Sequence, residues 1–239
     1  MIVKTQAIVL HALKYGENGR ILKAITAEEG LVPIFIRSVG NPKKGGINAF
    51  LEPMTRVELC YERRNGQGMA SLKEIIPTNS SEIINTNIYT SAIAMFMAEV
   101  AQNVLHEEEK DLPLFELLSD WIQRLHGMDR QADIPLLYLF SLSSSLGFSP
   151  DLESKGAYFD LREGHFHDKA PAHEDYIQGD ESQFLRSFLA FKADLGPRPH
   201  ASNPKARSIL LEHMLQYFKI HVQGFREIKS HKILAQIIS

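Results

Sequence analysis

Over the first 77 residues apolar and polar positions alternate in short runs broken by turn residues, the period-two pattern of strands buried on one face. The runs are Gln6 to Leu13, Arg20 to Thr26, Leu31 to Val39, Arg56 to Arg63 and Met69 to Ile76. Between them stand Gly16-Glu17-Asn18-Gly19, Glu28-Glu29-Gly30 and Asn65-Gly66-Gln67-Gly68, residues that tolerate a positive φ and close tight hairpins. One connection is longer, Gly40-Asn41-Pro42-Lys43-Lys44-Gly45-Gly46. In the third run Val32, Ile34 and Ile36 share a face, and in the fourth Val57, Leu59 and Tyr61, so each strand turns one side inward. Five strands with one long connection after the third predict a small closed barrel such as the OB-fold, a small sandwich or an SH3-like barrel being the alternatives.

Past Pro77 the period lengthens toward 3.6. A helix is predicted from about Ser81 to His106, capped by Asn79-Ser80-Ser81, with Ile88, Ala92 and Met95 on one track and Ile93, Phe96, Val100 and Val104 beside it. A second follows Asp111-Leu112-Pro113, a third spans Ile134 to Leu146, and others cover Ser182 to Leu195, Pro204 to Val222 and Ser230 to Ile238. Between the third and fourth helices, Tyr158 to Phe166 reads as a hairpin turning at Glu163-Gly164. The fold class is α+β: a five-stranded OB-fold barrel over residues 1–80, then an α-helical bundle over 81–239 with a small β-hairpin insertion.

Composition narrows the function classes. An apolar fraction of 44% with 23% charge describes a core-forming chain. No apolar run approaches the roughly 20 residues that cross a bilayer, and the N-terminus lacks a signal-peptide pattern. The single cysteine, Cys60, excludes an internal disulfide and fits a reducing, cytoplasmic compartment. The net charge is −3, yet residues 1–80 carry 11 Lys and Arg against 7 Asp and Glu, whereas residues 81–150 carry 3 against 10. A basic module on an acidic chain still attracts a polyanion locally.

Enzyme signatures are missing: there is no phosphate loop, dinucleotide fingerprint, nucleophile elbow or His-Glu-x-x-His. No catalytic residue, cofactor or metal is assigned. Cys60, mid-strand, reads as a buried thiol rather than a nucleophile. His165, His167 and His173, with Asp168 and Asp175 nearby, are the one constellation with metal-ligand character; a His-x-His pair on a strand points both rings to one side, so a metal-dependent hydrolase is the rival reading. The nucleic-acid candidates are Lys14, Tyr15 and Arg20 at the first hairpin, Phe35 and Arg37 on the third strand, Lys43 and Lys44 in the loop, and Arg63 and Arg64 after the fourth strand. Single-strand binders need this mixture, because cations follow phosphates while aromatic faces stack on unpaired bases. The helix from Ile209 to Ile220, flanked by Lys205, Arg207 and Lys219, offers an apolar groove with a cationic rim for an acidic, hydrophobic peptide. A protein-interaction adaptor without DNA binding is the third alternative.

The opening Thr5-Gln6-Ala7-Ile8-Val9-Leu10, then Lys14-Tyr15-Gly16-Glu17 and Arg20-Ile21-Leu22, resembles the start of RecO, the bacterial recombination mediator and DNA repair family. Glu28-Glu29-Gly30-Leu31, Leu51-Glu52-Pro53-Met54-Thr55, the helix from Leu210-Leu211 to Tyr217 and the Ile228-Lys229-Ser230 turn follow in the family's order. Many members bind zinc through four cysteines in the insertion, at about 150–178 here; this chain has none there, Ser154 and Gly156 included. The resemblance implies an OB-fold, a helical domain and no catalytic centre. It also implies binding of single- and double-stranded DNA, annealing of complementary strands, and loading of RecA with RecR onto strands coated by single-stranded-DNA-binding protein (SSB). The SSB C-terminal tail would dock on the helical domain, and the protein would act at the nucleoid.

Overall fold

A computed structural model describes residues 1–37, 47–63, 68–78, 87–107, 109–127, 131–192 and 204–238. Lys43, Lys44, Arg64 and the Asn79-Ser80-Ser81 cap lie outside the described residues. The chain divides into two compact units, Met1–Asp129 and Arg130–Ser239.

In the first unit β1 (Ile2–Tyr15), β2 (Gly19–Thr26), β3 (Gly30–Ile36), β4 (Arg56–Glu62) and β5 (Ala70–Pro77) close a barrel in the order β1-β2-β3-β5-β4. The first strand is longer than its alternation predicts because it has two partners. Its N-terminal half pairs with β4, Ile2 to Ile8 against Glu62 to Arg56, and its C-terminal half with β2, Ala7 to Tyr15 against Thr26 to Gly19. A register shift between Val9 and His11 bends the strand where it changes allegiance. Ala7, Val9, Leu22, Val32, Ile34, Ile36, Val57, Leu59 and Tyr61 fill the interior. Ile8 and Leu10, equally buried, lie outside that cluster on the strand against which α1 (Ile88–Val104) and α2 (Leu112–Gly127) pack. Covered on both faces, Ala7-Ile8-Val9-Leu10 is a continuous apolar run rather than an alternating one.

Helix α1 begins at Ile88, where the Asn87 carboxamide accepts the Tyr89 N–H at 2.9 Å. Its buried side runs through Ile93, Phe96, Met97, Val100 and Val104, whereas Ile88 and Met95, which the sequence track placed with Ala92, are exposed. Asp111 caps α2 through the Leu114 N–H at 2.9 Å. Gly30, at φ +68°, brings the barrel against the segment that joins the two helices; a Cβ there would stand 1.8 Å from the Glu109 carbonyl oxygen.

The second unit contains α3 (Ile134–Ser145), α4 (Gly179–Lys192), α5 (Pro204–His221) and α6 (Ser230–Ile238). Helix α3 is buried all along Ile134 to Phe140 and so serves as its core. The predicted hairpin is one strand short: β6 (Tyr158–Asp160) pairs with β7 (Phe166–His167) and also with β8 (Tyr176–Ile177), giving a sheet ordered β7-β6-β8. Arg186 of α4 secures this lobe, donating to the Ser154 and Gly156 carbonyls at 3.1 and 3.0 Å while its guanidinium lies 3.8 Å from the Phe166 ring centroid. Among the described residues no helix is long and apolar enough to cross a membrane.

Candidate nucleic-acid interface

The first hairpin and the end of β3 bring five of the candidate residues to one end of the barrel. Tyr15 faces Gly19 across the hairpin, Lys14 faces Arg20, and Arg20 in turn faces Ile36. The Tyr15 and Phe35 rings meet edge to face, centroids 5.8 Å apart at 82°. Gly19 permits this contact, since a Cβ there would come within 3.1 Å of Phe35 Cε2 and 2.8 Å of the Tyr15 carbonyl oxygen. Tyr15 is 57% exposed, so the pair presents aromatic surface to solvent rather than to the core.

Register separates two sets. Leu13, Ile21 and Phe35 lie directly across from one another, and Tyr15 continues their side of the sheet two positions past Leu13. Lys14 and Arg20 share the other side, at the mouth of the barrel beside Ile36. Arg37 lies just past β3 and is exposed. The sequence reading missed Leu13, 48% exposed, and Ile21; the i, i+2 spacing of Leu13 from Tyr15 is the signal that finds the first.

Charge pairing distinguishes these cations from others in the unit. Lys4 pairs with Glu58 at 2.9 Å, Lys23 with Glu107 at 2.9 Å and Lys73 with Glu62 at 2.7 Å. The hydrogen bond to Glu58 raises the Lys4 pKa above its ordinary value. Lys14, Arg20 and Arg37 have no ion pair with any described carboxylate, which leaves their charge available to a phosphate. Arg63 is different. Its side chain is 4% exposed, its Nε lies 3.3 Å from Glu29 Oε2, and the Tyr61 hydroxyl donates to the same oxygen at 2.6 Å. Burial, then the bond to Glu29, pushes the Tyr61 pKa well above its usual value. Arg63 is therefore part of an internal network and is removed from the exposed set.

Within the second unit a cleft of about 490 Å³ is lined by Pro135 and Leu136 of α3, Lys205, Arg207 and Leu211 of α5, and Leu234 of α6. Its walls are largely apolar, and two of the three cations named for the helical groove, Lys205 and Arg207, are among its lining residues. Lys219 is not part of it: it lines a second, smaller hollow with Glu212, Arg226 and Glu227, roughly 20 Å further along α5 at 1.5 Å per residue.

Two family matches cover nearly the whole chain: Recombination protein O N terminal over residues 1–81 and Recombination protein O C terminal over residues 85–237. The chain belongs to the RecO family. Its relatives include the DNA repair protein RecO of Christiangramia forsetii, 35% identical over 240 residues that cover 99% of both chains. Others are those of Flavobacterium johnsoniae, 31% identical, and Flavobacterium psychrophilum, 28% identical, each matched over 100% of both chains. The RecO family segments meet between residues 81 and 85, whereas the compact units part at 129 and 130, because α1 and α2 pack on β1.

The four-cysteine zinc set of other RecO members does not fit this lobe. Ser154 instead accepts the Phe166 N–H at 2.8 Å through its Oγ, and Gly156 lies so close to β7 that a Cβ would stand 2.1 Å from the His167 carbonyl. Nor do the three histidines converge as the rival hydrolase reading would require. His165 lies outside the two-residue strand β7, so the His-x-His alternation does not apply, and each ring faces its own carboxylate: His165 with Asp151 at 3.1 Å, His167 with Glu163 at 3.1 Å, His173 with Asp160 at 3.0 Å.

Proposed function

We propose that this chain is a non-catalytic recombination mediator of DNA repair, acting in the cytoplasm at the nucleoid. It binds single- and double-stranded DNA through the barrel, anneals complementary strands and, with RecR, helps load RecA onto SSB-coated single strands. The observation that carries the reading is the exposed Tyr15 ring against Phe35 at the end of the barrel that also carries Lys14 and Arg20, on the other side of the sheet, and Arg37 just past β3. Stacking on such rings is tolerant of sequence, and cations neutralise the repulsion between two phosphate backbones without reading bases. Annealing requires both properties and no bond-making chemistry.

The cleft between α3, α5 and α6 supports a second element of the reading, docking of the SSB C-terminal tail. An acidic segment that ends in apolar residues meets Lys205 and Arg207 at the rim and Pro135, Leu136 and Leu211 within. The deciding experiment follows the annealing of bare and SSB-coated complementary oligonucleotides. Wild-type protein should accelerate both, and Lys205→Glu/Arg207→Glu should lose only the SSB-coated reaction. No acceleration on bare strands would remove the annealing role, and a double variant equal to wild type on coated strands would remove the cleft.

A further inference from the structure

We propose that the small sheet of the second unit holds one divalent transition-metal cation, Zn²⁺ foremost, through the Asp160 and Glu163 carboxylates and the His167 imidazole. Ligand atoms of these three residues all lie within 4.8 Å of one another. Donors bound at about 2.0–2.2 Å around a tetrahedral Zn²⁺ stand roughly 3.3–3.6 Å apart, so the widest separation in the set has to contract by up to about 1.2–1.5 Å. Glu163 makes that possible, since it sits in the turn between β6 and β7 and its side chain is 62% exposed. The other two donors stand on paired strands: Phe159 registers with Phe166, the Asp160 N–H donates to the His165 carbonyl at 2.9 Å, and the Gly164 N–H to the Asp160 carbonyl at 2.8 Å.

Two independent features point to an ion rather than to a solvated loop. The Asp160 side chain is 4% exposed, a carboxylate that has to be compensated. Its Oδ1 accepts the Arg162 and Glu163 N–H groups at 2.7 and 3.1 Å, and its Oδ2 meets His173 Nε2 at 3.0 Å. A carboxylate offers about four acceptor positions, so one remains, and the bonds already made fix its direction as outer partners fix a metal-binding carboxylate. The second feature is His167 Nε2, which is shielded from solvent and makes no hydrogen bond of good geometry although Glu163 Oε2 is 3.1 Å away. A shielded ring nitrogen that makes no hydrogen bond is rare, and a metal ion between it and Glu163 would satisfy both.

The charge and hardness of the set select the ligand. Two carboxylates and one neutral imidazole offset a divalent cation, and one nitrogen with oxygens and no thiolate suits Zn²⁺, Co²⁺ or Mn²⁺ rather than Cu⁺. The cleft beside the cluster, about 650 Å³ and lined by Pro171 and Lys169, opens to solvent, so an ion can enter while the exposed Lys169 keeps its ammonium in water. Bound there, the ion would tie the end of β6, the turn and β7 into one closed loop.

The test uses full-length protein stripped with chelator, titrated with Zn²⁺ by calorimetry and with Co²⁺ by visible absorption, with thermal unfolding followed in parallel. One equivalent should bind and raise Tm in proportion to the logarithm of free metal. Glu163→Gln and His167→Asn should each weaken binding at least about tenfold, the loss expected even for outer partners of a metal. His165→Asn, whose ring faces Asp151 instead, should bind as wild type. Should His167→Asn unfold, Glu163→Gln, altered only at an exposed side chain, decides alone. Absence of saturable binding, wild-type affinity in Glu163→Gln, or loss of binding in His165→Asn would each overturn the site.

Discussion

Arg37 and Arg63 each follow the end of a strand and read alike in sequence, yet one stands in solvent and the other is enclosed with Glu29 and Tyr61. Breaking a buried pair by removing one partner costs about 3–5 kcal/mol, and the 22% exposure of the Glu29 side chain places Arg63→Ala at the low end, near 3 kcal/mol. Urea denaturation should register that loss while single-strand affinity, read by fluorescence anisotropy, stays within about twofold, the Coulomb contribution of one distant screened charge being small. Tyr15→Ala should behave oppositely. Its ring is mostly in solvent, so stability should move by less than about 0.5 kcal/mol, whereas one lost base stack at about 1–3 kcal/mol weakens binding about tenfold. Wild-type affinity in Tyr15→Ala would place the stacking surface elsewhere. Cys60 shows the same contrast between type and place. Expected as a buried thiol, it is only half-buried, because Val57, Leu59 and Tyr61 take the inward positions of β4 and leave Cys60 on the other side.

Gly30 shows how an element depends on its neighbour. Both Gly16 and Gly30 have positive φ, +65° and +68°, but nothing lies within 4 Å of a Cβ at Gly16, whereas at Gly30 it would overlap the Glu109 carbonyl. Gly16→Ala should therefore cost only the left-handed strain, about 1–2 kcal/mol. Gly30→Ala has to displace backbone as well and should lower Tm by at least about 5 °C more, at roughly 2–4 °C per kcal/mol for a chain of this size. Equal melting temperatures would mean that the backbone at Glu109 yields freely. Elements with a strong local period were legible in the sequence: the inward faces of β3 and β4, and the extent of α3 and α5, follow from spacing alone. What was not legible depends on partners distant in the chain. The ends of β1 are set by β4 and β2, Arg63 by a carboxylate 34 residues earlier, and β8, two residues long, exists only because Phe159 and Asp160 have a free edge. On α1 the apolar side read from the sequence was too wide: it held the buried Ile93, Phe96, Val100 and Val104 but also Ile88 and Met95, which packing on β1 leaves exposed. Of the DNA-binding candidates, the Tyr15–Phe35 contact was not legible as a contact, because the residue that allows it is Gly19, which has no side chain to announce itself.

For the molecule as a whole, charge distribution matters more than charge. The net value is −3, and the proposed binding surface on the barrel would have to work against an acidic remainder. Affinity for single strands should therefore fall steeply as salt rises, and each phosphate contact contributes about 0.7 to the slope of log K against log salt. Replacing Lys14, Arg20 and Arg37 together by Ala should flatten that slope by about 2; an unchanged slope would show that the phosphates bind elsewhere. The barrel itself is unevenly sewn. Along its four other seams the strands share six to eight registered positions, but β3 and β5 share only Ile34 with Ala70 and Phe35 with Ser71. The cheapest breach of the cylinder runs along that short parallel seam, and Phe35 stands on its lip. A base laid against this ring would latch the gap shut, so nucleic acid held at the mouth would also act as a clasp on the wall beneath it.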